Sequence, residues 1–190
     1  MVEADYHQRF ARVALAGLNL QRGQSLAIKM EPEHAEIAAV IAEHAYRVGA
    51  RYVDIWAEST RFLRSRLDHS SPEHLDYVPE HRALRNAEFL REGWALLSLK
   101  GPIDPAVMEG ADAECSGRIN RVVSAVDAPL RRSLATDETQ WVVMAPPSPK
   151  WASRVTGISD GVTALDAMWQ ALVPVLRLEE DDPAAFWKRH

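Results

Sequence analysis

Histidine beside glutamate recurs four times in this chain, as Glu33-His34, Glu43-His44, Glu73-His74 and Glu80-His81. Imidazole and carboxylate together are the donors of a hydrolytic metal centre, but such a centre needs them at a fixed spacing. None of the pairs extends to HExxH, which sets two imidazoles on one helical face. His69, His74 and His81 lie close in sequence, yet Pro72 and Pro79 break any helix that would align them. Read from the residues, they are exposed or helix-capping groups in a polar segment.

The other reactive types are equally isolated. Cys115 stands alone in DAECSGR, and a thiol nucleophile needs a base that the sequence does not place. Its expected role is a small buried or half-buried hydrophobe. Ser116 and Ser148 lack the GxSxG turn of a serine nucleophile. The turn after the first apolar run, Met30-Glu-Pro-Glu33, offers carboxylates where a phosphate cradle needs glycines and free amides. A nucleotide site therefore requires an unusual architecture. Arg118, Arg121, Arg131 and Arg132 read as a solvated helix face, and Glu179 to Asp182 as an acidic helix start.

The segment WVVMAPPSPKWA, residues 141–152, has a different character. Trp141 to Met144 reads as a strand leaving a core, and Pro146, Pro147 and Pro149 forbid a regular element directly after it. Ser148 supplies a cap or turn group, and helical pattern resumes near Trp151. Two readings stand. Either the prolines fix the strand exit while Trp141 and Trp151 pack around the turn, or the segment walls a substrate cavity.

The elements that position these residues alternate. A helix over 5–18 leads through Gly23 to a strand over 25–30. A helix follows with Pro32 in its first turn and Ile37, Val40, Ile41, Ala45 and Val48 on one face; Gly49 ends it before a strand over 52–56. Residues 58–93 read as helical with breaks at 70–72 and Pro79, and 94–100 as a third strand. A long helix over 113–134, broken near Pro129, precedes the fourth strand at 141–144. A helix over 162–173 stops at Pro174, and Asp182 caps a short last helix entered through Pro183. Strand–helix–strand order predicts parallel crossovers, hence an α/β three-layer sandwich with a mainly parallel, Rossmann-like sheet flanked by helices.

With 190 residues there is room for one good-sized core. A formal net charge of -5 argues against nucleic acid as the partner. One cysteine fits a reducing compartment, and no 18-residue apolar window or leader pattern occurs. The expectation is a soluble cytoplasmic protein without a membrane partner.

Four segments together carry a family resemblance: HAEIAAVIAEHAYRVGARYVDIW, WALLSLKGPIDPAVMEGAD, the WVVMAPPSPKWA turn, and ALDAMWQALVPVLRLEEDDPAAFWKRH. They resemble, in order from about Tyr6 to His190, the N-terminal domain of the thermophilic aminopeptidase T and staphylococcal aminopeptidase S family, peptidase family M29. The resemblance implies a homodimeric cytoplasmic exopeptidase that removes N-terminal residues from peptides with two divalent metal ions, zinc, cobalt or similar. It also implies that the metal ligands lie in a C-terminal catalytic domain absent from this chain. Residues 1–190 would then be an accessory α/β domain, inactive alone, with no catalytic or metal residue assigned and no metal of its own. Trp141, Pro146, Pro147, Pro149 and Trp151 are its candidate cavity-lining or turn residues. The alternative is a protein-binding or assembly domain with no enzymatic role.

Overall fold

A computed structural model describes residues 3–189. Its sheet has four strands, all parallel, in the order β2-β1-β3-β4: β1 is Ser25–Met30, β2 Tyr52–Ala57, β3 Ala95–Leu99 and β4 Trp141–Met144. The expected strands and the parallel crossovers are therefore present, and among the described residues no antiparallel edge is added. Leu26, for example, sits opposite Val53 on one side and Ala95 on the other.

Alternation along β1 sorts the two faces. Leu26, Ile28 and Met30 face helices α1 (Glu3–Leu18), α2 (Ala35–Arg47) and α8 (Gly161–Leu176), through Phe10, Ile37, Ile41 and Trp169. Ala27 faces the opposite layer, where Trp56 meets Phe89 of α4 (Glu80–Arg91) and Leu130 of α6 (Ala128–Ala135). Three layers result. Trp169 is the pivot of the larger core: Tyr6 stacks on it at 5.5 Å and Phe10 meets it edge-on at 5.8 Å. Val48, expected on the core face of α2, is 52% exposed because the helix has already ended at Arg47.

Two proline expectations are corrected. Pro149 does not delay the next helix; it starts α7 (Pro149–Thr156), since the first helical position has no intrahelical use for an N–H. Ser148 caps that helix, its Oγ accepting from the Trp151 amide. Pro174 does not stop α8, which runs on to Leu176 before Arg177 closes it in a left-handed conformation. The Asp182 cap is present, its carboxylate accepting from the Ala185 amide at the start of α9 (Pro183–Arg189). The helix expected over 113–134 with a break near Pro129 is indeed two, α5 (Ala113–Val126) and α6, parted at Asp127.

Asp127 serves a charge network that welds the sheet to its second helical layer. Arg82 donates through Nε and Nη2 to both Asp127 oxygens at 2.8 and 2.6 Å, and through Nη2 to Glu58 at 3.1 Å. Lys29 reaches Glu58 at 2.8 Å, and the Asn86 amide donates to Asp127 at 2.8 Å. Burial opposes ionisation of Asp127, but the Arg82 and Asn86 hydrogen bonds outweigh it and hold the carboxyl below the usual range. Glu58 behaves alike: burial raises it, and Lys29 with Arg82 lowers it further than burial lifts it. The same bonds hold Arg82 firmly protonated.

Removing Arg82 strands Asp127, whose side chain is only 14% exposed. Arg82→Ala is expected to cost about 2–3 kcal/mol, the range for hydrogen bonds to charged partners. Both carboxyls are depressed by folding, so their stabilisation is complete above the ordinary carboxylate range and is lost as pH falls through the folded values. Denaturant unfolding against pH should show that acid loss in the parent and its onset at higher pH in Arg82→Ala. Equal midpoints at neutral pH would contradict this account.

Candidate functional site

In open parallel sheets, ligands bind beyond the carboxyl ends of strands where the direction of the crossovers reverses. Here the chain steps from β1 outward to β2, then back across to β3, so the reversal lies between β1 and β3. A cleft of about 360 Å³ opens at that end, on the α1/α2/α8 side. Every strand contributes the segment just past its last residue. Glu33 and His34 follow β1, Arg61 follows β2, Ile103 follows β3, and Pro146 to Lys150 follow β4. Trp169 and Leu165 of α8 and Ile37 of α2 supply apolar wall.

His34 is the unusual group. A short 3-10 turn over Pro32–His34, set by Pro32 directly after β1, brings it inward. It is 4% exposed, and neither ring nitrogen has a hydrogen-bond partner. A buried polar atom left without one costs about 1–3 kcal/mol, so an unpaired buried imidazole at a cleft wall calls for an explanation. Burial lowers its pKa, against the opposing pull of Glu31 and Glu33, so the ring is neutral at physiological pH.

Gly101 makes the arrangement fit. A Cβ at this position would stand 1.9 Å from the Pro146 carbonyl oxygen and 3.4 Å from His34 Nε2. Only glycine lets the β3 and β4 exit loops approach so closely. Ser148 ties the same loops, its Oγ lying against the carbonyls of Pro102 and Ile103. Glu31 steadies the β2 side by accepting from the Thr60 amide at 3.0 Å, capping α3 (Thr60–His69) from another loop.

The sequence-derived candidates divide cleanly. Pro146, Pro147 and Pro149 line the cleft; Trp141 and Trp151 do not. Trp141 begins the edge strand three residues before its end and is 46% exposed, so it does not pack around the turn. Trp151 is half-buried against Ala152, Ala164 and Met168, joining α7 to α8. His69, His74 and His81 are all exposed. Cys115 sits in the first turn of α5, where burial and the nearby Asp112 raise its thiol, the reverse of an activated thiolate. Arg118 is engaged by Asp76 at 2.6 Å. His34 was legible only as half of a Glu-His pair; its place after β1 was the available signal.

Among the described residues no three His, Cys, Asp or Glu side chains converge as a metal site. The acids beside His34 are already engaged: Glu31 caps α3, and Glu33 faces Arg61 at 3.7 Å. The described residues around the cleft thus offer no free set of donors for a metal ion.

Two outcomes follow from this geometry. Gly101→Ala should destabilise by about 3 kcal/mol or more, because the clash is with backbone rather than a movable side chain; thermal unfolding measures it, and an unchanged midpoint would refute the close approach. His34 has a folded pKa below its unfolded one, so the unfolded chain gains the proton first on acidification. Stability is then full above the ordinary histidine value of 6.5 and declines as pH falls from there towards the folded value. His44 is lowered too, chiefly by burial, and shares that window. His34→Gln should flatten, without abolishing, the slope of unfolding free energy in this range; an identical slope would show that His34 is not buried neutral.

Comparison with known proteins gives the geometry its context. The sequence profile of the family described as Thermophilic metalloprotease (M29) matches residues 4–190. Aminopeptidase 2 of Geobacillus stearothermophilus is 28% identical over 183 residues, covering 96% of this chain and 44% of that protein. Aminopeptidase T of Thermus thermophilus is 29% identical over 184 residues, covering 96% and 45%. The solved structure of wild-type AmpT from Thermus thermophilus superposes with a TM-score of 0.82 at 27% identity, over 90% of this chain and 43% of that one. The chain therefore spans less than half the length of the curated relatives it matches. A family match across almost the whole sequence, with the same fold, shows that this chain belongs to the thermophilic metalloprotease (M29) family.

Proposed function

We propose that this chain is the N-terminal accessory domain of a metal-dependent aminopeptidase that releases amino acids from the N-termini of peptides. The observation that carries this reading is the family match over residues 4–190 to relatives named as aminopeptidases, of which the chain spans only some 44–45%. Bond cleavage belongs to the remainder. In such an enzyme two divalent ions, zinc, cobalt or similar, supply an activated water, and their ligands come from a C-terminal domain outside these 190 residues.

The accessory domain contributes a rigid wall and an assembly surface. The cleft walled by Pro146, Pro147 and Pro149 sits at the sheet's carboxyl end, and stiff walls limit the poses of an entering peptide. Trp141 and Val143, 46% and 49% exposed on the outer strand, offer apolar area for the catalytic domain or for the second subunit of a homodimer. No helix among the described residues is long and apolar enough to cross a membrane.

The test compares this chain with the protein extended through the coding sequence that follows it. Both are washed with chelator, reconstituted with zinc or cobalt, and assayed for bound metal and N-terminal peptide hydrolysis. The extended protein should hold stoichiometric metal and cleave in a chelator-sensitive way; the 190-residue chain should do neither. Metal-dependent turnover by the short chain would relocate the active site into these residues, and an inert extended protein would leave assembly or protein binding as the function.

A further inference from the structure

We propose that the outer edge of β4 receives one more strand, donated by the part of the polypeptide downstream of this chain, so that the complete protein carries a longer continuous sheet. The inference rests on the accessory-domain reading above and names the contact that joins the two parts.

Strand geometry leaves two residues open. The Leu96 amide donates to the Gln140 carbonyl and the Lys100 amide to that of Met144, so Gln140, Val142 and Met144 turn their main-chain groups towards β3. Main-chain direction alternates along a strand, so Trp141 and Val143 turn theirs away. Among the described residues β4 pairs with β3 alone, and the outward N–H and C=O groups of both residues meet no strand. Their side chains are exposed as well, Trp141 at 46% and Val143 at 49%. Val142 and Met144 pack on the α1/α2/α8 core, which puts Trp141 and Val143 on the opposite face. There the apolar cluster of Ala27, Trp56, Phe89, Leu96 and Leu130 covers β1, β2 and β3 and stops short of β4.

An apolar open edge is a template for pairing, and lysine, proline or a bulge commonly blunts it. Trp141–Met144 has none of these; brevity is its only protection. The opposite edge, β2, is partly closed from within. Its Val53 amide donates to the Tyr46 hydroxyl at 3.1 Å, and Asp54 sets a carboxylate in the strand. Ile55 is exposed there too, but the domain's own side chain already occupies the first outward donor.

Two observations identify the donor. The chain spans only 44–45% of the relatives named as aminopeptidases, which leaves ample polypeptide to supply a strand. The last helix is also tethered on the β4 half of the molecule. α9 packs on α1, which lies against β3 and β4, whereas α2 lies against β1 and β2. Arg9 of α1 donates to the carbonyls of Leu178 and Glu180 at 2.6 and 2.9 Å, and the Trp187 indole donates to that of Leu176 at 3.1 Å. Two helix diameters, roughly 20 Å, separate α9 from the sheet, a span that about six or seven extended residues cover. A downstream segment with apolar residues at alternate positions bonds the open main chain and lays its side chains beside Trp141 and Val143.

Amide hydrogen exchange at single-residue resolution tests this in the 190-residue chain and in the chain extended through the coding sequence that follows it. Val142 and Met144 face β3 in both proteins and serve as internal references. Trp141 and Val143 should exchange at least about a hundredfold more slowly in the extended protein. Val143→Pro deletes one outward donor at a position where an edge strand tolerates proline, and should return Trp141 to its rate in the short chain. Equal rates in the two parent proteins overturn the proposal, even where the extended protein hydrolyses peptides. Protection of Trp141 that survives Val143→Pro overturns strand pairing in favour of side-chain cover. Slow exchange in the short chain that fades on dilution overturns it as well, because the partner is then a second copy. Protected edge amides in an extended protein that cleaves nothing support the added strand and sink the aminopeptidase reading. Should Val143→Pro fail to fold, the two parent proteins decide alone.

Discussion

Strand β1 is hydrogen-bonded along both edges and covered on both faces, and the remaining architecture is arranged around that demand. Parallel strands require crossovers, and β1 can gain neighbours on both sides only if the crossover after β2 turns back over it to β3. That reversal leaves the loops after β1 and β3 diverging at one end of the sheet. The crevice there is a topological necessity, not an ornament of a particular loop. Its cost is backbone and side-chain polarity at a half-buried rim. The chain meets it by pairing across strand ends: the Glu58 amide donates to Met30, the Lys100 amide to Met144, and Glu31 caps the helix after β2.

The two sides of that sheet end are chemically unlike. On the α4/α6 side, Lys29, Glu58, Arg82, Asn86 and Asp127 form a chain in which charges alternate, although Asn86 Oδ1 and the nearby Arg85 Nε and Trp94 Nε1 are buried without partners. Such a network resists rearrangement, because shifting one member exposes the next to an unpaired neighbour. On the α1/α2/α8 side, His34 has no partner and the Arg61–Glu33 pair is long and exposed. The charge network on one face holds the sheet end still, and the cleft opens on the other.

Most of the fold was legible in the sequence because its elements are locally consistent. Period-3.6 apolar faces, Gly23 and Gly49 at positive φ, and the Asp182-Pro183 start all agree with their surroundings. What misled was proline read only as a breaker: Pro149 opens α7, where an N–H would have had no intrahelical partner, and Pro174 costs α8 one amide donor in its last turn without ending it. Trp141 misled for another reason. Four residues of apolar strand do not reveal whether they lie inside a sheet or at its edge, and edge position leaves Trp141 and Val143 exposed while Val142 and Met144 meet the core. His34 was the least legible of all. Its significance comes from Gly101, Pro146 and Arg61, which are brought together only by strand order, and strand order is not written in any local pattern.

The proline-rich exit of β4 shows why a stiff segment suits this place. Buried loops are rare because each residue brings an N–H that must find a partner. Pro146 and Pro147 are both buried, and neither has an N–H to satisfy. The donor-poor pair can therefore line a cleft wall at no hydrogen-bonding penalty on that side. Ser148 then engages the facing loop's carbonyls, and Pro149 begins α7 at the position where an amide would have gone unused. Three prolines that look in sequence like an interruption thus make burial of irregular backbone affordable. With Gly101 admitting the Pro146 carbonyl at close range, they let the cleft be walled by main chain whose conformation is fixed before any ligand arrives.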